Sequence, residues 1–104
     1  MIGPGTKLFE VLGDQVAAFC RQHGIRRLAF FGSVLRGDFG PESDLDLLVE
    51  FEPGVRVGLI RLAEMEAKLS ELFRRKVDLR TAGELSRYFR DRVVSEAKTC
   101  YERR

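Results

Sequence analysis

Residues 30–50 read FFGSVLRGDFGPESDLDLLVE, and this stretch decides the fold. It opens inside a short apolar and aromatic run, RLAFF at 27–31, which predicts a strand. Gly32-Ser33 follows directly, and the residues up to Gly37 fit a turn with one helical turn in it. Residues 38–43, DFGPES, have the composition of a loop. DLDLLVE at 44–50 then reads as a second strand. A period of two puts Asp44, Asp46, Leu48 and Glu50 on one face, with Leu45, Leu47 and Val49 on the other.

Upstream, Leu8, Val11, Leu12, Phe19 and Cys20 recur at helical spacing until Gly24 ends the run. Residues 1–7 are expected to form a flexible N-terminal tail, and 8–104 a single domain. Downstream, PGVRVG at 53–58 punctuates the chain. Helix resumes at Leu59, with Leu62, Met65, Leu69 and Leu72 in phase and Phe73 beside the last. KVDLR at 76–80 predicts a third strand, on which Asp78 opposes Val77 and Leu79. Leu85, Phe89, Val93 and Ala97 stripe a final helix. Val94, Cys100 and Tyr101 extend its apolar character, read first as core packing with a frayed tail and second as a subunit contact. The fold class is α/β (α+β): a small mixed sheet with helices packed on its apolar face and carboxylates on the other.

The chain has 104 residues, which leaves room for a modest core and none for a large second module. Apolar residues make up 44% and charged residues 33%, an ordinary globular balance that excludes disorder as the main state. A net charge of +2 gives no argument for nucleic acid. Every apolar run is too short for a membrane span, and MIGPGTKLFE lacks the apolar stretch of a secretory signal. Cys20 and Cys100, without CxxC spacing, read as thiols of a cytoplasmic protein. The one histidine, His23, stands beside Gly24 at a helix end, where capping is its expected role.

The chemistry is carried by Gly32-Ser33, Arg36-Gly37 and Ser43-Asp44-Leu45-Asp46. Two carboxylates two apart on a strand repel each other, and a divalent cation between them removes the conflict. Mg²⁺ suits such hard oxygen ligands and keeps room for phosphates. Taken alone, a DxD is equally the outer face of an exposed edge strand. Gly32 permits a tight turn and a close approach to a ligand. The following helical turn offers unpaired N–H groups to phosphate, and Ser33 adds a hydroxyl. Arg36 either serves the same phosphates or packs over the loop. The GxxxxGK[ST] phosphate loop is absent. Asp78, folded beside the DxD strand, would bring a third carboxylate to that face. Otherwise it is a surface acid between Lys76 and Arg80.

Together, Gly32-Ser33-x-x-Arg36-Gly37 and Ser43-Asp44-x-Asp46-Leu47-Leu48-Val49 resemble the signature of the DNA polymerase beta superfamily. More narrowly, they are similar to the minimal nucleotidyltransferase (MNT) proteins, many of them antitoxins encoded beside a HEPN-domain toxin. The resemblance covers nearly the whole chain and implies the polymerase-beta-like nucleotidyltransferase fold. It implies that Asp44 and Asp46 hold catalytic metal, that Asp78 is the third acid, and that Gly32 and Ser33 contact the triphosphate, with Arg36 and Ser43 in the same motif. The cofactors implied are two Mg²⁺ ions, with ATP as nucleotide donor.

On this resemblance the chain moves AMP from ATP to a hydroxyl, expected to be a tyrosine of a partner HEPN toxin, and releases pyrophosphate. A non-catalytic antitoxin that neutralises its partner by binding is the alternative reading. A small-molecule nucleotidyltransferase, with a pocket completed by a homo-oligomer, is another. Nucleic acid and membrane are not expected as partners. Phe31, Phe39 and Phe51 are expected to pack rather than stack on a base. Glu50 is expected to face solvent, and Arg26 and Arg27 to form a solvated charge pair.

Overall fold

The computed structural model describes residues 4–36, 40, 42–88 and 90–103, and for 4–12, 33 and 36 the backbone alone. The first helix, α1 (Pro4–Gln22), starts before the periodicity that begins at Leu8. Proline suits such a start, since its fixed φ is helical and its missing N–H has no partner to lose there. Val16, Phe19 and Cys20 lie on one stripe of α1 and are buried. Gly24 ends the turn after it in the left-handed region at φ +68°. Its carbonyl accepts the Glu52 N–H at 2.8 Å.

β1 (Ile25–Phe31), the short α2 (Ser33–Arg36) and β2 (Leu45–Phe51) come next. α3 (Leu59–Phe73) then crosses over to β3 (Val77–Thr81). A 3-10 turn (Ala82–Glu84), α4 (Arg90–Glu96) and β4 (Lys98–Glu102) complete the chain. The sheet order is β3-β2-β1-β4. β1 runs antiparallel to β2 and β4, whereas β2 and β3 are parallel, so the sheet is mixed as expected. The parallel pair requires a crossover, and α3 provides it.

Leu28 and Phe30 of β1, Leu45, Leu47 and Val49 of β2, and Val77 and Leu79 of β3 belong to one core with α1 and α3. Met65, Leu69 and Phe73, four apart, are the side chains that α3 buries. The Phe30 and Phe73 rings meet edge to face at 6.2 Å. α3 also closes the outer edge of the sheet. The Ser70 hydroxyl accepts the Val77 N–H at 2.9 Å, and the Glu66 carboxylate accepts the Leu79 N–H at 2.8 Å. Two strand donors that would otherwise invite another chain are thereby satisfied.

The C-terminal quarter departs from the sequence reading. Leu85 caps the 3-10 turn rather than starting a helix, and Phe89 lies outside the described residues. Helix is confined to Arg90–Glu96, which buries none of its residues. Residues 98–102, read as a frayed tail, form an edge strand paired with β1, and Cys100 enters the core. The open hydrogen-bonding edge of β1 and a buried place for one side chain outweigh the local helical pattern. Leu48 departs too. It shares the phase of Asp46 but is only 1% exposed, opposite the fully buried Ala29. The carboxylate face is therefore partly covered, and the 3-10 turn packs against β2 there. No helix among the described residues is long and apolar enough to cross a membrane.

Candidate active site

The parallel register of β2 and β3 sets Asp46 directly beside Asp78. Register partners in a parallel pair project to the same face, so the two carboxylates share it. On the other side of β2, Asp46 faces Phe31, the last residue of β1. Gly32 follows at φ +76°, a conformation that a side chain disfavours. A Cβ there would meet the Asp46 carboxyl carbon at 3.0 Å and its Cβ at 3.3 Å, with a carboxylate oxygen nearer still. The glycine is thus required twice, once by the backbone and once by the acid packed against it. The Gly32 carbonyl accepts the Leu35 N–H at 3.0 Å and closes the turn into α2.

Asp44 precedes β2 and is exposed, with the Lys76 ammonium 3.9 Å from its Oδ2. Asp78 binds Arg80, whose Nε donates to Oδ1 at 3.0 Å. That hydrogen bond, and then the Asp78 charge, raise the Arg80 pKa above its ordinary value. Among the described residues no three His, Cys, Asp or Glu side chains converge into a formed metal cage. The expected trio is therefore brought together in part, with Asp46 and Asp78 at one register position and Asp44 drawn toward Lys76. An open set of hard carboxylate oxygens fits Mg²⁺, which is commonly held by one or two carboxylates together with substrate phosphates.

A cleft of about 500 Å³ opens beside Asp46. Phe31, Gly32 and Leu35 form one wall, and Arg92, Val93 and Glu96 of α4 form the other. The glycine-led turn and Asp46 line this cleft, whereas Asp78 lines a separate one with Glu66, Arg80 and Glu84; a glycine turn beside a carboxylate suits the handling of a polyphosphate. Residues 14–100 match the family described as the nucleotidyltransferase domain. The chain belongs to the nucleotidyltransferase family.

Relatives agree. MJ0435 of Methanocaldococcus jannaschii, which bears a protein adenylyltransferase name, is 34% identical over 76 residues, 73% of this chain and 80% of that protein. A solved structure described as a minimal nucleotidyltransferase is 37% identical, with a TM-score of 0.69 over 86% of this chain and 92% of the other. An MNT antitoxin solved with the tri-AMPylated HEPN toxin of Shewanella oneidensis gives a TM-score of 0.66 over 91% of this chain and 73% of that one. At 18% identity, that last likeness speaks for the fold alone.

In this nucleotidyltransferase the remaining motif residues take different places. The side chains of Ser33 and Arg36 lie outside the described residues, although the backbone of both is helical in α2. The Ser43 hydroxyl accepts the Gly40 N–H at 2.9 Å and so shapes the loop before the acids. Glu50, in phase with Asp46 but further along β2, bridges Arg26 at 2.9 Å and Arg27 at 3.1 Å. Arg27 also donates to the Thr99 hydroxyl at 2.9 Å. These three charged residues form a strand-to-strand network rather than part of the cleft.

Three residues escaped the sequence reading. Arg75 donates to the carbonyls of Gly40 at 2.6 Å and Ser43 at 2.9 Å, and so anchors the loop that delivers Asp44. No local pattern marks it, because its partners lie more than thirty residues upstream. Arg92 and Glu96 reach the cleft through the unforeseen position of α4. Their i,i+4 spacing was visible, but it commonly marks nothing more than a solvated helix face.

Proposed function

We propose that this chain transfers AMP from ATP to a protein hydroxyl, a tyrosine of a HEPN-domain toxin, and thereby acts as its antitoxin. The observation that carries the reading is the pairing of Asp46 with Asp78 beside Gly32. The name borne by the M. jannaschii relative supports a protein acceptor. The shared fold with the MNT antitoxin of an AMPylated HEPN toxin supports the partner class. The reading includes a cytoplasmic location, in keeping with ATP as donor and two free buried thiols.

Asp44, Asp46 and Asp78 are the residues that would hold two Mg²⁺ ions, which supply charge neutralisation at the phosphates and acidify the acceptor hydroxyl. The Gly32 turn lets backbone approach the triphosphate closely, with the first N–H groups of α2 directed to phosphate oxygens. Ser33 adds a hydroxyl donor there. Asp78 accepts the proton of the tyrosine hydroxyl as that oxygen attacks the α-phosphorus. The bond to the bridging oxygen breaks, and pyrophosphate leaves. Arg80 holds Asp78 in place by the hydrogen bond at 3.0 Å. The enzyme's contribution is position and charge compensation.

The test uses ATP labelled at the α-phosphate, Mg²⁺ and proteins that co-purify with the chain. Label should appear on a partner and vanish with the Asp44→Asn/Asp46→Asn double variant, while partner binding survives. A stable complex that takes up no label from any nucleoside triphosphate would refute the catalytic reading and leave neutralisation by binding.

A further inference from the structure

We infer that Arg92 binds the phosphates of the nucleoside triphosphate, and that Glu96 competes with them for its guanidinium. The inference concerns the nucleotide half of the reaction and needs no particular acceptor. Arg92 and Glu96 line the same cleft of about 500 Å³ as Gly32 and Asp46. Among the described residues of that lining, Arg92 is the one cation, with Glu96 beside it on α4 and Asp46 the other carboxylate. A triphosphate entering beside Asp46 brings several negative charges into a cleft already carrying acids. Mg²⁺ held at the acids offsets part of that charge, and a cation on α4 offsets more of it from the other side of the cleft.

The geometry of the pair suits exchange. The Arg92 Nε lies 3.2 Å from the Glu96 Oε1, and the two side chains are 79% and 62% exposed. An exposed i,i+4 pair contributes little stability, so a phosphate can replace the carboxylate at small cost. A guanidinium matches phosphate oxygens with a planar fork of donors, and Nε is the only donor that Glu96 engages. Glu96 thus holds Arg92 at the cleft in the absence of nucleotide and raises the threshold for binding weaker anions. Phe31, Leu35 and Val93 supply the apolar part of the same lining.

Two single variants give opposite expectations. Arg92→Ala should weaken binding of Mg²⁺ with a non-hydrolysable ATP analogue, measured by calorimetry, by about tenfold, the loss expected for one charge-assisted hydrogen bond. Glu96→Gln should tighten it by about twofold to threefold, because it removes both a competitor and a repelling charge. Arg92→Lys should recover part of the loss. Circular dichroism and thermal melts report whether α4 remains folded in each variant. If the pair serves only to stabilise the helix, both variants will weaken binding together and lower the melting temperature together. That outcome, or unchanged affinity in Arg92→Ala, overturns the inference. The binding assay contains no acceptor protein, so its result stands apart from the outcome of the label-transfer experiment.

Discussion

Gly32 and Asp46 share a single packing site, in which the space a Cβ would take at residue 32 is filled by the carboxylate of residue 46. The glycine-led turn and the DxD, separated in sequence by a loop, are one steric unit. Gly32→Ala must relax both a φ of +76° and this contact. We expect it to cost about 1–2 kcal/mol of stability from the left-handed backbone. Displacing Asp46 should cost transfer activity about 100-fold, as a shift near 1 Å in a reacting group does. Urea melts and label transfer would measure the two effects separately.

Asp46→Asn and Asp78→Asn should each lower transfer by more than about 100-fold, since even residues that merely support metal ligands cost 10–100-fold when lost. Their stabilities should diverge from their activities. Asp46→Asn keeps the shape of the side chain and removes a charge from beside Asp78, so its effect on the melting temperature should be small beside its effect on transfer. Asp78→Asn gives up a partly exposed ion pair with Arg80, which contributes at most about 1 kcal/mol. A large loss of stability in either variant would show that the acids hold the sheet together instead of serving the reaction.

Arg75→Ala should loosen the loop before β2 without touching the core. Its guanidinium ties down the Gly40 and Ser43 carbonyls from the far side of the sequence. We expect a stability loss of about 1 kcal/mol. Hydrogen exchange at 42–45 should rise, and kcat/KM for ATP should fall, because the position of Asp44 changes. Exchange at wild-type levels would remove Arg75 from this role.

Stability should fall at both ends of the pH scale. Burial lifts the Cys20 thiol from 9.0 to about 12, and burial raises Cys100 as well. With folded pKa values above the unfolded ones, the folded state keeps its thiol protons longer. Stability is therefore full below about pH 9 and is lost as pH climbs toward 12. His23 behaves oppositely. Burial, then Lys68, then Arg61 push its pKa below 6.5. Its contribution is present above 6.5 and is lost as pH falls through the lowered folded value. Denaturant melts from pH 5 to 11 on wild type, His23→Leu and Cys20→Ala would assign each limb. Both thiols should resist alkylation at pH 8 until the chain unfolds.

Arg74 terminates α3 in the left-handed conformation, φ 54°, where glycine is the usual residue. Arg74→Gly should stabilise the protein by about 0.5–1 kcal/mol, the relief of the Cβ penalty less the entropy that glycine adds to the unfolded chain. Activity should not change. A lowered melting temperature would mean that the arginine side chain contributes more than its backbone strain costs.

Much of the molecule was legible before folding. Phe19 and Cys20, and Met65, Leu69 and Phe73, announce their helices because helical geometry repeats every 3.6 residues whatever lies nearby. Leu45, Leu47 and Val49 announce a strand for the corresponding reason. The phase of Asp78 against Val77 and Leu79 foretold which face it would occupy, and the register bears that out. The roles of Ser33 and Arg36 rest on the motif, since their side chains lie outside the described residues.

The sequence by itself determined three of the four strands, the two helices packed on them, and the glycine-led turn and acids on which the family resemblance rests. Periodicity and turn chemistry are local properties, written within a few residues of where they act. Only the tertiary structure decided that Asp46 stands beside Asp78, that KTCYE becomes β4, that Arg75 anchors a distant loop, and that Arg92 and Glu96 wall the cleft. Each of these depends on which free edge, carbonyl or empty space another part of the chain presents. Such partners are supplied by packing, and no short window of sequence contains them.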